Sequence, residues 1–218
     1  MTAVERSGRH SMLVTINEDV QLLLTRDIWA ERPLTEGEEL DFEEFSRWLL
    51  PRQYPAALNK AVAMLAQRAH AGGEIRRKLE RAHYLEDTID MVLYKLEKER
   101  LLNDEAFARE YAASCARRQM GKSRIRMELS RKGLPRELID RAAARGVKVL
   151  AITDHELYTP SQEAIAVRLA QKLLRRHNGE DARREMQKVL AAMARRGYSY
   201  EDSRNAIEAA IRLGDEEE

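Results

Sequence analysis

At 218 residues the chain can bury a sizeable core, in one large domain or in two small ones. Hydrophobic residues make up 44% and charged residues 34%, and the abundance of Ala, Leu, Glu, Arg and Lys is typical of a mainly helical protein. The single cysteine, Cys115, excludes an intrachain disulfide. No apolar run approaches the ~18 residues of a transmembrane helix, and the polar N-terminus lacks the apolar stretch of a signal peptide. We therefore expect a cytoplasmic protein without a membrane partner.

Charge is distributed unevenly along the chain, although the formal net charge is only +1. Residues 1–58 carry 6 basic and 11 acidic side chains, residues 199–218 carry 2 and 7, and residues 59–198 carry 30 and 19. A basic centre of this kind favours a polyanionic partner such as nucleic acid. Ordinary solvated helix faces would produce the same excess, so charge alone leaves both interpretations open.

The N-terminal quarter differs in pattern from the rest. We expect residues 1–11 to form a disordered leader and residues 12–55 to form a small extension. Short apolar runs on either side of residues 17–19 predict a hairpin of two strands. Apolar side chains at helical spacing from Phe42 onward predict a helix that stops at Pro51, with its aromatic residues in a core.

The remainder of the chain repeats itself. Ile75–Asp90 and Ile125–Asp140 lie fifty residues apart and match at six positions: Ile75/Ile125, Arg76/Arg126, Leu79/Leu129, Arg81/Arg131, Ile89/Ile139 and Asp90/Asp140. A fainter copy follows 64 residues later, with Val189 in the place of Ile125 and Gly197 in the place of Gly133. Repeats of this length predict an elongated helical array, which suits a partner that is also long.

Each repeat is predicted to contain three helices. The predicted segments are repeat 1 at 56–102, repeat 2 at 103–145, an irregular connection at 146–158, repeat 3 at 159–214 and an acidic tail at 215–218. Asp104, Thr159 and Ser199 are expected to cap helices at their N-termini. Gly133 stands where a helix commonly ends in the left-handed conformation.

A row of cations recurs on the second helix of each repeat. With the apolar pairs such as Ile125/Leu129 placed in the core, the outward face holds Glu74, Arg77 and Arg81; Arg124, Met127 and Arg131; and Lys188, Ala191 and Arg195. Cations at repeat spacing suit sequence-independent contacts to phosphates or to acidic side chains. Because the last arginine of each set lies in a final helical turn, it could equally neutralise the helix C-terminus. The two roles can coexist.

The segment from Asn103 to Leu134, NDEAFAREYAASCARRQMGKSRIRMELSRKGL, resembles the central repeat of the RecX regulatory family. The similarity lies in an acidic cap, Phe-Ala and an aromatic on the first helix, a Gly-Lys link, Arg-Ile-Arg and Glu-Leu, then Arg-Lys-Gly-Leu. The resemblance implies tandem three-helix repeats and a non-enzymatic regulator of recombination without a cofactor. Such a regulator binds the RecA–single-stranded DNA filament in its groove and restrains its ATPase, strand exchange and SOS activity.

The densest basic cluster falls inside this segment, at residues 117–132, where seven cations accompany the single acid Glu128. Few aromatic residues are interleaved, so base stacking is expected to be weak, which favours a protein–DNA filament over naked single-stranded DNA. The candidate filament-binding residues are Arg77, Arg81, Arg117, Arg118, Lys122, Arg124, Arg126, Arg131, Lys132, Lys188 and Arg195. The expected partners are RecA and single-stranded DNA, with weaker binding to duplex DNA, and the DNA is expected to be bound through its phosphates. We expect the protein to bind as a monomer.

Two other functions compete with this one. A helical-repeat scaffold for protein interaction, with an incidental basic face, fits the same pattern. A metal-dependent phosphoesterase is suggested only by Leu150–His155, LAITDH, and it would need further His and Asp ligands. The chain has 5 histidines and no His-x-His pair, so we expect no enzyme activity and assign this match to chance.

Overall fold

The computed structural model describes residues 2–7, 11–17, 19–144, 161–176 and 182–215, which divide into two compact units, Met1–Asn103 and Asp104–Glu218. The first unit contains β1 (Thr2–Arg6), β2 (Ser11–Ile16), β3 (Val20–Thr25), α1 (Arg26–Glu31), α2 (Phe42–Gln67), α3 (Gly72–Glu80) and α4 (Glu86–Lys98). The second contains α5 (Asp104–Arg117), α6 (Lys122–Arg131), α7 (Arg136–Ala144), α8 (Gln162–Arg176), α9 (Ala182–Arg195) and α10 (Tyr200–Asp215). The prediction of a mainly helical protein is confirmed.

The N-terminal strands form one antiparallel sheet in the order β1-β2-β3. The predicted hairpin is confirmed as β2 and β3, which pair from Ser11 with Thr25 to Ile16 with Val20. The disordered leader is wrong for residues 2–6, because β1 pairs along β2 and its Val4 packs on the apolar core of the sheet. The free edge of the hairpin, on β2, has unpaired backbone N–H and C=O groups. These groups hydrogen-bond to β1, and the composition of residues 2–6 does not reveal this pairing.

Helix α2 runs without interruption through Pro51 and Pro55, so the predicted stop at Pro51 and the separate helix from residue 56 are wrong. Proline inside a helix costs about 3 kcal/mol. Burial on both sides offsets this cost: the N-terminal half, including Phe45, packs on the sheet, and the C-terminal half, including Ala61, packs with α3 and α4. One helix therefore belongs both to the extension and to repeat 1.

Gln53 joins these two halves of the first unit. Its side chain is 1% exposed; its Nε2 donates to the Leu23 carbonyl at 3.2 Å, and the Leu85 N–H donates to its Oε1 at 3.0 Å. The Leu23 N–H in turn donates to the His83 carbonyl at 3.1 Å. Strand β3 is thus bound to the turn between α3 and α4.

The second unit contains two three-helix groups, α5–α7 and α8–α10. Ile125, Leu129, Val189 and Met193 are buried, as the repeat pattern predicts. Gly133 and Gly197 end the second helix of each group at φ 80° and 86°, and in the first unit His83 occupies the matching position at φ 57°. In each repeat, this left-handed residue lets the chain turn sharply into the third helix.

Helix starts in repeat 3 follow the predicted chemistry with one change. Ser199 caps α10, because its Oγ accepts from the Asp202 N–H at 3.0 Å. At α8 the cap is Ser161, whose Oγ accepts from the Ala164 N–H at 3.1 Å. The expected cap at Thr159, the connection 146–158 and residues 216–218 lie outside the described residues.

Candidate nucleic-acid interface

Repeats 2 and 3 meet inside the second unit at a close backbone approach. The Gly121 N–H donates to the Arg196 carbonyl at 2.8 Å, and the Ser123 N–H donates to the Gly197 carbonyl at 3.3 Å. A Cβ on Gly121 would lie 2.3 Å from the Gly197 oxygen, and one on Gly197 would lie 2.5 Å from the Arg124 nitrogen. Only glycine at both positions allows α6 to begin directly against the turn that follows α9.

This contact brings cations of two repeats together. Lys122 and Arg124 in the first turn of α6 lie beside the turn that carries Arg195 and Arg196. We call this surface the basic junction and define it by Lys122, Arg124, Arg131, Arg195 and Arg196. All of them except the half-buried Arg124 are exposed. Clustered exposed cations of this kind attract phosphates without reading sequence.

Glu128 lies within the basic junction and orients two of its arginines. Its carboxylate is 3.0 Å from Arg124 Nη2 and 3.6 Å from Arg131 Nη1, and its side chain is only 17% exposed. Arg124 and Arg131 therefore extend from one face of α6, as their seven-residue spacing predicts. The shared carboxylate limits the freedom of both side chains, so less rotamer entropy is lost when they bind an anion.

Arg126, predicted among the binding residues, has a partner within its own repeat. Its Nε lies 3.1 Å from Asp140 Oδ1 on α7, and Arg136 approaches the same carboxylate at 3.8 Å. The matched pair in repeat 1 is Arg76 with Asp90. This arrangement ties the second helix to the third, and it gives Arg126 a structural role beside any contact with a ligand.

A second basic group surrounds Tyr111 on α5. The Lys132 Nζ lies 5.2 Å from the centre of the Tyr111 ring, which stacks on Phe107 at 5.6 Å. Arg118 donates from Nη2 to Cys115 Sγ at 3.3 Å. Cys115 is fully buried, and this burial raises the pKa of its thiol, so we interpret Cys115 as a small core residue. Arg117 is exposed next to Arg118 at the end of the same helix.

The predicted cations outside this region are exposed, and Arg77 and Lys188 have local partners. Arg77 on α3 and Arg81, which directly follows α3 as its C-cap, are both exposed, and Arg77 Nε donates to the Gly73 carbonyl at 3.0 Å. Lys188 on α9 pairs with Glu185 at 3.1 Å. Glu74 is not on the outward face, and that prediction is wrong. Its side chain is 12% exposed, since the carboxylate accepts from the Ala71 N–H at the start of α3.

Family models match all three helical regions of the chain. The second three-helix domain of RecX matches residues 103–142, the third matches 161–207 and the first matches 57–96. The chain belongs to the RecX family. A regulatory protein RecX of Geobacillus kaustophilus is 28% identical over 199 residues, covering 91% of this chain and 67% of that protein. One of Listeria innocua is 27% identical over 216 residues, covering 97% and 75%.

Solved structures of RecX proteins support the same fold. A crystal structure of regulatory protein RecX superposes with a TM-score of 0.60 at 23% identity, covering 96% of this chain and all of that one. RecX from Lactobacillus salivarius superposes with a TM-score of 0.63, also at 23% identity, covering 74% and 98%. Membership in a family of regulatory proteins indicates a RecX-type regulator rather than an enzyme.

Two further findings on this RecX-family chain concern metal binding and membrane spans. Within the described residues, no group of three His, Cys, Asp or Glu side chains could hold a metal ion. None of the helices that the structure describes has both the length and the apolar character to cross a membrane.

Sequence reasoning missed two members of the basic surface of this RecX-family protein. Arg196 is absent from the candidate binding residues, although its match with Lys132 in the repeat alignment identifies it as one. Tyr111, the aromatic residue on the first helix of repeat 2, is the second. Its contact with Lys132 spans 21 positions of sequence and two helices, so no local pattern could have predicted it.

Proposed function

We propose that this RecX-family protein binds the RecA–single-stranded DNA filament through the basic junction and inhibits the ATPase and strand exchange of RecA, and with them SOS induction. The observation that carries the proposal is the Gly121–Gly197 contact, because it gathers cations from two repeats into one exposed surface. Phosphates repeat along a nucleic acid, so a surface that spans a repeat boundary can bind several of them at once. No base-specific geometry is required.

The filament is favoured over naked single-stranded DNA as the target. Base stacking needs exposed aromatic faces within the basic surface, and in the cluster at 117–132 the sequence offers none. Tyr111 is close by, but one side of its ring stacks on Phe107 and Lys132 lies over it. Contacts to phosphates, supplemented by contacts to the recombinase itself, fit this surface better.

The decisive experiment is a titration of the protein into RecA hydrolysing ATP on single-stranded DNA. We expect hydrolysis to fall, and to recover as salt is raised because each phosphate contact releases counterions. Inhibition far below one molecule per RecA would indicate action at filament ends, and inhibition near equimolar ratio would indicate occupation of the groove. Unchanged hydrolysis at every ratio would contradict the proposal. Salt-insensitive binding to another protein would favour the scaffold function instead.

A further inference from the structure

A groove in the second unit has chemistry opposite to that of the basic junction. It lies between α8 and α10, has a volume of about 200 Å³, and includes Lys122 in its lining. Two carboxylates, Glu163 and Asp202, stand on its walls, with Asn205 beside them. The remaining lining includes Ala166, Ala206 and Ala209. We call it the acid-lined groove. In a chain segment rich in arginine, it presents two negative charges and one positive charge.

A buried hydroxyl of the groove lacks a partner. Tyr198 lines the groove and is 6% exposed, and its Oη has no hydrogen-bond partner among the described residues. Burial raises the pKa of Tyr198 to about 12, so the side chain is a neutral phenol that can both accept and donate a hydrogen bond. Buried polar groups are almost always paired, and an unpaired one marks a place where a ligand would be stabilised.

We propose that the acid-lined groove receives an arginine or lysine side chain of a protein partner. Carboxylates form their strongest hydrogen bonds with guanidinium and ammonium groups, which Glu163 and Asp202 offer here. The alanine walls leave room for the aliphatic stem of such a side chain, which buries its methylenes while its head remains polar. Tyr198 Oη is shielded from solvent, and a small shift of the Tyr198 ring on binding would let it accept one of the N–H groups. A phosphate would be repelled by the same carboxylates.

The identity of the partner rests on the proposed function: the basic side chain would belong to the recombinase within the filament. The basic junction would then contact the phosphates of the DNA, and the acid-lined groove would contact the recombinase. Lys122 lines the groove and also belongs to the basic junction, so the two surfaces adjoin.

The groove can be tested without RecA by nuclear magnetic resonance of the full chain. The probe is the blocked tripeptide acetyl-Gly-Arg-Gly-amide at millimolar concentration, with acetyl-Gly-Glu-Gly-amide as control. We expect shifts confined to Tyr198, Asp202 and their neighbours, with the arginine peptide alone, and their loss in a Glu163→Gln/Asp202→Asn variant. Absence of localised shifts would overturn the proposal. Shifts caused instead by a short oligothymidylate would show that the groove takes a nucleobase, which also overturns it.

The link to function is tested with the same variant on the RecA–DNA filament. The matched control is Glu201→Gln/Glu208→Gln, which removes the same charge from α10 outside the groove lining. We expect the groove variant to bind the filament at least about tenfold more weakly than the control, as expected for lost hydrogen bonds to charged groups. Affinity for naked single-stranded DNA should be the same for both. Equal filament affinity would refute the role of the groove.

The two proposals fail separately. Suppose that the wild-type chain does not inhibit RecA while the arginine peptide still shifts the resonances of Tyr198. The proposed filament function is then wrong, and the proposal that the groove binds a basic side chain stands. If the wild-type chain inhibits RecA but neither the peptide nor the amide variant has an effect, the function holds and the groove proposal is wrong.

Discussion

Arg126 and Asp140 form an ion pair, Nε to Oδ1 at 3.1 Å, that joins α6 to α7 across fourteen positions of sequence. Arg76 and Asp90 join α3 to α4 in the same way. Both residues of each pair match in the alignment of the repeats, so the ion pair is a feature of the repeat and not of one helix. Its side chains are about half exposed, 46% and 52%, which limits its contribution to stability.

Substitution of Arg126 by Ala should lower the free energy of unfolding only slightly. An exposed ion pair contributes about 0.2–1 kcal/mol, and a double-mutant cycle with Asp140→Ala in urea denaturation should give a coupling energy in that range. The salt slope of filament binding should stay near the wild-type value. A slope reduced by about 1 would show that Arg126 also contacts a phosphate, as the sequence pattern first suggested.

Neutralising Lys122, Arg124 and Arg131 together should separate binding from folding. Alanine is the best helix former, so α6 should persist, and adding Glu128→Gln avoids a carboxylate without its two partners. Each lost phosphate contact should lower the salt slope by about 1, and inhibition of RecA should fall in parallel.

The control for this variant is Arg136→Ala/Arg141→Ala/Arg212→Ala with Glu137→Gln, which changes the net charge by the same amount at exposed positions of the second unit outside the basic junction. It should retain nearly full inhibition. If the junction variant instead melts early yet inhibits normally per folded molecule, its cations serve the helix and the binding surface lies elsewhere.

Gly121→Ala should loosen the contact between repeats 2 and 3. The added Cβ would meet the Gly197 carbonyl oxygen at 2.3 Å, and such overpacking costs about 1–3 kcal/mol. Hydrogen exchange at the amides of residues 121 and 123 should become faster, and filament affinity should fall because the cations of repeats 2 and 3 move apart.

Gly214→Ala provides the matched control, since nothing lies within 4 Å of a Cβ there. In a helix this change stabilises by up to about 1 kcal/mol. Equal stability of the Gly121 and Gly214 variants would mean that the backbone approach at Gly121 is not tight in solution.

Gln53→Met should destabilise the first unit by about 1–3 kcal/mol, because the buried Leu85 N–H and Leu23 carbonyl would each lose a partner. Both tryptophans, Trp29 and Trp48, belong to this unit, so fluorescence during urea denaturation monitors it directly. Gln67→Met, at the exposed end of the same helix, controls for the substitution itself. Comparable denaturation midpoints for the two variants would refute the structural role of Gln53.

Features that depend on neighbouring residues follow from the sequence alone. The spacing of Ile125 and Leu129 among charged residues predicts the buried face of α6. Ser199 predicts the start of α10, and Gly133 predicts the left-handed turn that follows α6. Each rests on helix geometry or on a hydrogen bond within a few residues, so the chain carries the information locally. The same repeats carry the resemblance to RecX, which the family models confirm.

Features that depend on distant partners were decided only by the tertiary structure. Pro51 fails to end α2 because two cores hold the helix on either side of it. Residues 2–6 become a strand because β2 has a free edge. The basic junction exists because Gly121 and Gly197, 76 positions apart in the sequence, approach within backbone contact. The free energies of burial and strand pairing depend on contacts between segments that are distant in the sequence. A local sequence pattern does not show which segments will be in contact.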